Sequence, residues 1–120
     1  ALFARARPNQ KAVWNNFYFH PAYDQRGTLY LPHDVGLIAH RGQDWRLLAG
    51  GDTNGGVAMY VYADERTPDR VLAGMDGGFR VFEGGRQVRK LTQAEGMHPC
   101  YYGLCALSAS EPDTYWLGSW

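Results

Sequence analysis

Apolar and polar positions along this chain come in short blocks, without the three-to-four-residue rhythm of an amphipathic helix. Three blocks are continuous apolar or aromatic runs: residues 17–19 (Phe-Tyr-Phe), 57–63 and 104–107. Runs of that length suit strands buried on both faces. Each is followed by a polar turn with acidic residues or proline (residues 23–27, 64–70 and 110–114). A second strand then begins, at 29–31, 71–73 and from Tyr115 onward. In the first two units it ends in a Gly-rich turn, Asp34-Val35-Gly36 or Asp76-Gly77-Gly78, where glycine supplies the positive φ that hairpins need. A third strand (37–40, 79–82), a polar hairpin (41–44, 83–86) and a fourth, outermost strand (45–48, 88–91) complete the unit. Helical signals are confined to Gln93-Ala94-Glu95, which Gly96 stops.

The unit repeats. Leu29, Asp34 and Gly36 line up with Val71, Asp76 and Gly78 at an offset of 42 residues, and Val71 and Gly74 line up with Tyr115 and Gly118 at 44. Four antiparallel strands every 40–45 residues or so is the period of a β-propeller blade. The reading is an all-β chain of β-propeller blades, each a four-stranded antiparallel sheet, with about three blades' worth in one repeat region. Its blade parts are residues 1–13, 14–55, 56–102 and 103–120. The opening Ala-Leu-Phe-Ala-Arg-Ala reads like Gly36-Leu-Ile-Ala-His-Arg41, the strand after the Gly-rich turn, and the third copy reaches Trp120 where that turn is due. Three blades are too few for a ring of roughly four to eight. The expected partner is therefore the rest of a longer propeller chain, or identical copies that complete the ring and bury its open edges.

Charge narrows the partners. Twelve Lys+Arg balance 12 Asp+Glu, so the formal net charge is zero, which argues against a general grip on nucleic acid. No apolar run approaches the roughly 20 residues of a membrane-spanning helix, so membrane insertion is not expected either. Fifteen glycines and 14% aromatic residues suit a protein of many turns and many rings. The two cysteines, Cys100 and Cys105, fit a short-loop disulfide in an oxidising compartment or two thiols in a reducing one. With lysine confined to Lys11 and Lys90, the composition leans toward an extracytoplasmic (periplasmic or secreted) protein.

The phrases that carry the repeat resemble a known family. Asp24-Gln-Arg-Gly-Thr-Leu-Tyr-Leu31 with the later Gly36-Leu37, and above all Ala106-Leu-Ser-Ala-Ser-Glu-Pro-Asp-Thr-Tyr-Trp-Leu-Gly-Ser119, are similar to the two-component regulator propeller repeat. Residues 71–82 are the next nearest phrase, with Leu72 where the family has Trp, and in the first copy Pro32-His33 stands where it has Gly-Thr. The resemblance implies a non-catalytic sensor or binding module, of the kind found in extracytoplasmic parts of bacterial hybrid kinases. Propellers also host hydrolases, lyases and protein scaffolds, so an active site in the mouth and an interaction scaffold are the alternatives.

Strand order predicts which loops share a face: the turns after the second strands lie beside the connections between blades. That face gathers Trp14, Asn15, Asn16, His33, Asp34, Asn54, Asp76, Tyr101, Tyr102 and Trp120 as candidate ligand-binding residues, with Asp52, Thr53 and His98 nearby. Rings among amides and carboxylates offer a glycan or small polar ligand stacking plus directional hydrogen bonds. The plainer reading makes the Asn and Asp ordinary turn residues. Asp34 and Asp76 occupy equivalent positions and would aim carboxylates at one mouth, whether for a cation, for acid–base work or only to cap their own turns. No catalytic residue, metal or cofactor is expected: the histidines lack ligand spacing, and no nucleophile motif or phosphate loop is present. Arg5, Arg7, Arg46, Arg86 and Arg89 read as solvated strand faces.

Overall fold

The computed structural model describes residues 20–33, 36–50, 58–75, 78–97, 102–111 and 114–119. They form ten strands: β1 (Ala22–Tyr23), β2 (Leu29–His33), β3 (Gly36–Arg41), β4 (Asp44–Gly50), β5 (Ala58–Ala63), β6 (Arg70–Met75), β7 (Gly78–Glu83), β8 (Arg86–Leu91), β9 (Tyr102–Leu107) and β10 (Tyr115–Ser119). Sheet order is β1-β2-β3-β4, then β5-β6-β7-β8, then the pair β9–β10, and every ladder is antiparallel. The described residues are thus all-β, in two four-stranded antiparallel sheets and one two-stranded sheet. The expected helical turn is a single 3-10 turn at Gln93–Glu95, capped by Thr92 and ended by Gly96 in the left-handed region at φ +89°.

The positions matched in sequence fall on corresponding rungs. Leu29 pairs with Tyr23, Val71 with Ala63 and Tyr115 with Leu107, so the three positions matched in sequence hold one rung of three sheets. Next to that rung the same turn recurs. The backbone N–H of Asp24 bonds Thr28 O (3.0 Å), that of Asp64 bonds Arg70 O (2.9 Å) and that of Ser108 bonds Thr114 O (2.8 Å). The side chains of Asp24, Asp64 and Ser108 each accept a backbone N–H from within the turn, the local bonding that makes Asp and Ser turn formers. All three residues are buried. The first strand departs from the sequence reading: β1 is Ala22–Tyr23, with Tyr23 in the stretch read as the opening of the turn, because the Asp24 turn sets which residues face Leu29 and Tyr30. The run at 17–19 lies outside the described residues.

The sheets stack face to face. Tyr30, Leu37, Ala39 and Ala49 of the first sheet share one core with Ala58, Val61, Val71, Ala73, Met75 and Phe82 of the second. The other face of the second sheet, Leu72 and Phe79 with Tyr62, Val81 and Leu91, packs on Tyr115 and Leu117 of the third. Covered on both sides, β6 is buried from Val71 through Met75, which explains its continuous apolar sequence. By contrast β8, the outermost strand, is exposed from Arg86 to Lys90. Its hairpin to β7 turns on Gly84 and Gly85, at φ +59° and +78°, the left-handed pair that a two-residue loop between twisted strands requires.

Candidate functional site

The antiparallel order gives the stack two ends. At one, His33, Gly36, Gly50, Ala58, Met75 and Gly78 meet across successive rungs. At the other lie the hairpin turns between β3 and β4 and between β7 and β8, together with the Asp24 and Asp64 turns.

Of the candidates expected from sequence, Trp14, Asn15, Asn16, Asp34, Asn54, Asp76, Tyr101 and Trp120 lie outside the described residues, as do Asp52, Thr53, His98 and Cys100. Tyr102 opens β9. His33 ends β2, paired with Gly36, and its side chain is fully buried. Among the described residues no three His, Cys, Asp or Glu side chains are grouped to hold a metal ion.

A site that the sequence reading missed opens at the hairpin end. A cleft of about 270 Å³ lies between the first and second sheets. Arg26 from the Asp24 turn, Arg41 at the end of β3 and Asp44 and Arg46 in β4 line one side. Asp69 and the Gly84-Gly85 hairpin line the other. The strands decide this grouping. Ala39 faces the second sheet, and Arg41 and Arg46 share its face, Arg46 pairing with Ala39 directly. Gly85 lets the two sheets close: a Cβ there would sit 2.7 Å from Nη2 of Arg46, so the guanidinium lies against bare backbone.

At the floor, the Tyr30 hydroxyl donates to Asp24 Oδ2 (3.0 Å), while Asp24 Oδ1 accepts from the N–H of Arg26 and of Thr28, each at 2.9 Å. Burial, reinforced by the bond to Asp24, pushes the Tyr30 hydroxyl from 10.0 up to about 12. It stays protonated at neutral pH and donates to Asp24 at the floor. Among the described residues no ion pair engages the guanidinia of Arg26, Arg41 and Arg46 or the carboxylates of Asp44 and Asp69. The cleft therefore presents three forked donors and two acceptors to whatever enters. Guanidinia bind carboxylate or phosphate with two parallel bonds, and the two aspartates accept from hydroxyls or ammonium groups. The signal in the sequence was the recurrence of Arg beside each turn (Arg26, Arg41, Arg46), but only the packing of two sheets brings those turns together.

Compared with family models, curated proteins and solved structures, the chain gives no significant match.

Proposed function

We propose that the chain is a run of β-propeller-type blades serving as a non-catalytic binding module for a small polar ligand such as a sugar acid or an amino acid. The observation that carries the reading is the polar cleft lined by Arg26, Arg41, Arg46, Asp44 and Asp69, none of them in an ion pair among the described residues, with the hydrogen-bonded Tyr30–Asp24 pair at its floor. The recurrence of turn, register and stacking face in three successive sheets supports the blade architecture, as does the resemblance of residues 106–119 to the two-component regulator propeller repeat.

Titration calorimetry with a panel of sugar acids, neutral sugars and amino acids tests the proposal. An acidic or zwitterionic ligand should bind, and Arg46→Ala or Arg41→Ala should weaken it about tenfold or more, since one charge-assisted bond contributes roughly 1.4 kcal/mol or more. Asp34→Asn and Asp76→Asn should leave that affinity unchanged. The reverse pattern, with loss on the aspartate variants alone, would move the site to the opposite loop face. Chemical conversion of the bound ligand would replace the binding module with an enzyme.

A further inference from the structure

Among the described residues four large apolar side chains are exposed: Val88 lies on the outer strand of the second sheet, and the three aromatic ones lie at the two ends of the stack. Trp116 is 68% exposed, Tyr23 67% and Trp45 50%. Their positions follow from the repeat. Trp116 follows Tyr115 as Tyr30 follows Leu29 and Leu72 follows Val71, so the three hold one equivalent rung position. Tyr30 and Leu72 are each 2% exposed because the next sheet covers them. Tyr115 and Leu117 pack back on the second sheet, so strand alternation turns Trp116 to the far face of the third.

The complementary face is at the other end. Each sheet meets its predecessor through the side that carries Val71, Ala63 and Phe82 in the second sheet. The equivalents in the first sheet are Leu29, Tyr23 and His40. Leu29 is half-buried, and His40 stacks on Trp45 at 3.9 Å between ring centres with 23° between planes. On the same face, His33 and Ile38 at the far end are fully buried, so the open patch is the half nearest the hairpin turns. Trp116, on the second rung of β10, stands at that same half.

We infer that these patches are two sides of one contact: the Trp116 face of one copy is covered by the Tyr23–Trp45 face of a second copy of this chain. The occupant is a second copy because the hairpin half of the face that would continue the stack by the rule of the two internal interfaces is exposed and aromatic on the same molecule, at Tyr23 and Trp45. Such a contact is heterologous, so each copy keeps one open face of each kind until a ring closes. The contact rests on the stacked-blade reading and specifies where the partner sits.

Sedimentation equilibrium on the full chain at roughly 100 µM, where contacts of micromolar affinity saturate, tests it. The wild type should exceed 13.5 kDa. Trp116→Glu alone and the double variant Tyr23→Glu, Trp45→Glu alone should each sediment as one chain. Their equimolar mixture should form a two-chain complex, since one intact face of each kind remains. A wild type of 13.5 kDa overturns the contact, as does a Trp116→Glu variant of wild-type mass. So does a mixture in which both variants are folded by circular dichroism yet stay apart. Where Trp116→Glu loses its strand spectrum, Trp116→Ser carries the same prediction without a charge. Hydrogen exchange separates the two ideas. Protected β6 amides in a monomeric wild type overturn the contact alone, whereas unprotected β6 amides overturn the stacking itself.

Discussion

The second sheet meets its two neighbours differently. Toward the first sheet it presents a closed apolar core in which Val61, Val71, Ala73, Met75 and Phe82 are at most 2% exposed. Toward the third it offers a smaller core, Leu72 and Phe79 ringed by half-buried side chains, with a polar fastening added. Arg66 Nη2 donates to Ser108 O at 2.7 Å, Arg70 donates to Glu83 and to the Tyr115 hydroxyl, and that hydroxyl donates to Asp64. A lighter fastening joins the first pair of turns, where the Gln25 amide donates to Glu65 O. Asp24 spends its acceptors within its own turn and sheet, whereas the equivalent Asp64 shares one with the next sheet. One device, an aspartate capping a strand-to-strand turn, is local glue in one place and a docking point in the other.

The largest expected effect sharpens that contrast. Phe82→Ala empties the closed core and should cost about 3–5 kcal/mol of unfolding free energy, at the upper range for a buried ring. Phe79→Ala should cost less, because its half-buried neighbours can relax; equal costs in urea titrations would erase the distinction. Next come the aspartates. Asp24→Ala and Asp64→Ala each strand buried donors and should cost about 1–3 kcal/mol. Hydrogen exchange should quicken in the first sheet only for Asp24→Ala, but in β10 as well for Asp64→Ala. An unchanged β10 in the second variant would mean that Tyr115 docks without Asp64.

The tyrosines extend the comparison to pH. Burial, and then the bond to Asp64, raises the Tyr115 hydroxyl to about 12, with Arg70 pulling the other way; Tyr30 reaches the same value by burial and Asp24. A pKa raised in the folded state means that the native protein holds the proton more tightly than the unfolded chain. This contribution is complete below about pH 10 and disappears as pH rises toward 12. Thermal unfolding followed across that window should show the decline, and Tyr30→Phe with Tyr115→Phe should flatten it. The smallest effect is at the cleft. Gly85→Ala forces a left-handed residue with a Cβ, at about 1 kcal/mol. Since the obstructing atom is the mobile tip of Arg46, ligand affinity should change more clearly than stability.

Much of the architecture was legible in the residue order. The paired strands, the polar turns after each first strand, the polar hairpins at residues 41–44 and 83–86 and the equivalence of Leu29, Val71 and Tyr115 all follow from local chemistry: apolar runs bounded by turn-forming residues. The start of β1 was less so, since a two-residue strand carries no period and is placed by its turn. The cleft was not legible. Arg46 reads as a solvated strand residue, as its exposure confirms, and nothing local says that a bare Gly85 from another sheet lies against it.

The sequence by itself therefore determined the repeating module: its strands, its turns and which rungs correspond. Only the tertiary structure decided what each equivalent position does. Tyr30 and Leu72 disappear under a neighbouring sheet while Trp116 faces outward, and Asp24 closes a turn while Asp64 joins two sheets. The physical reason is that turn geometry and alternation are properties of a few consecutive residues. Burial and partnership are properties of whichever surface arrives on the other side.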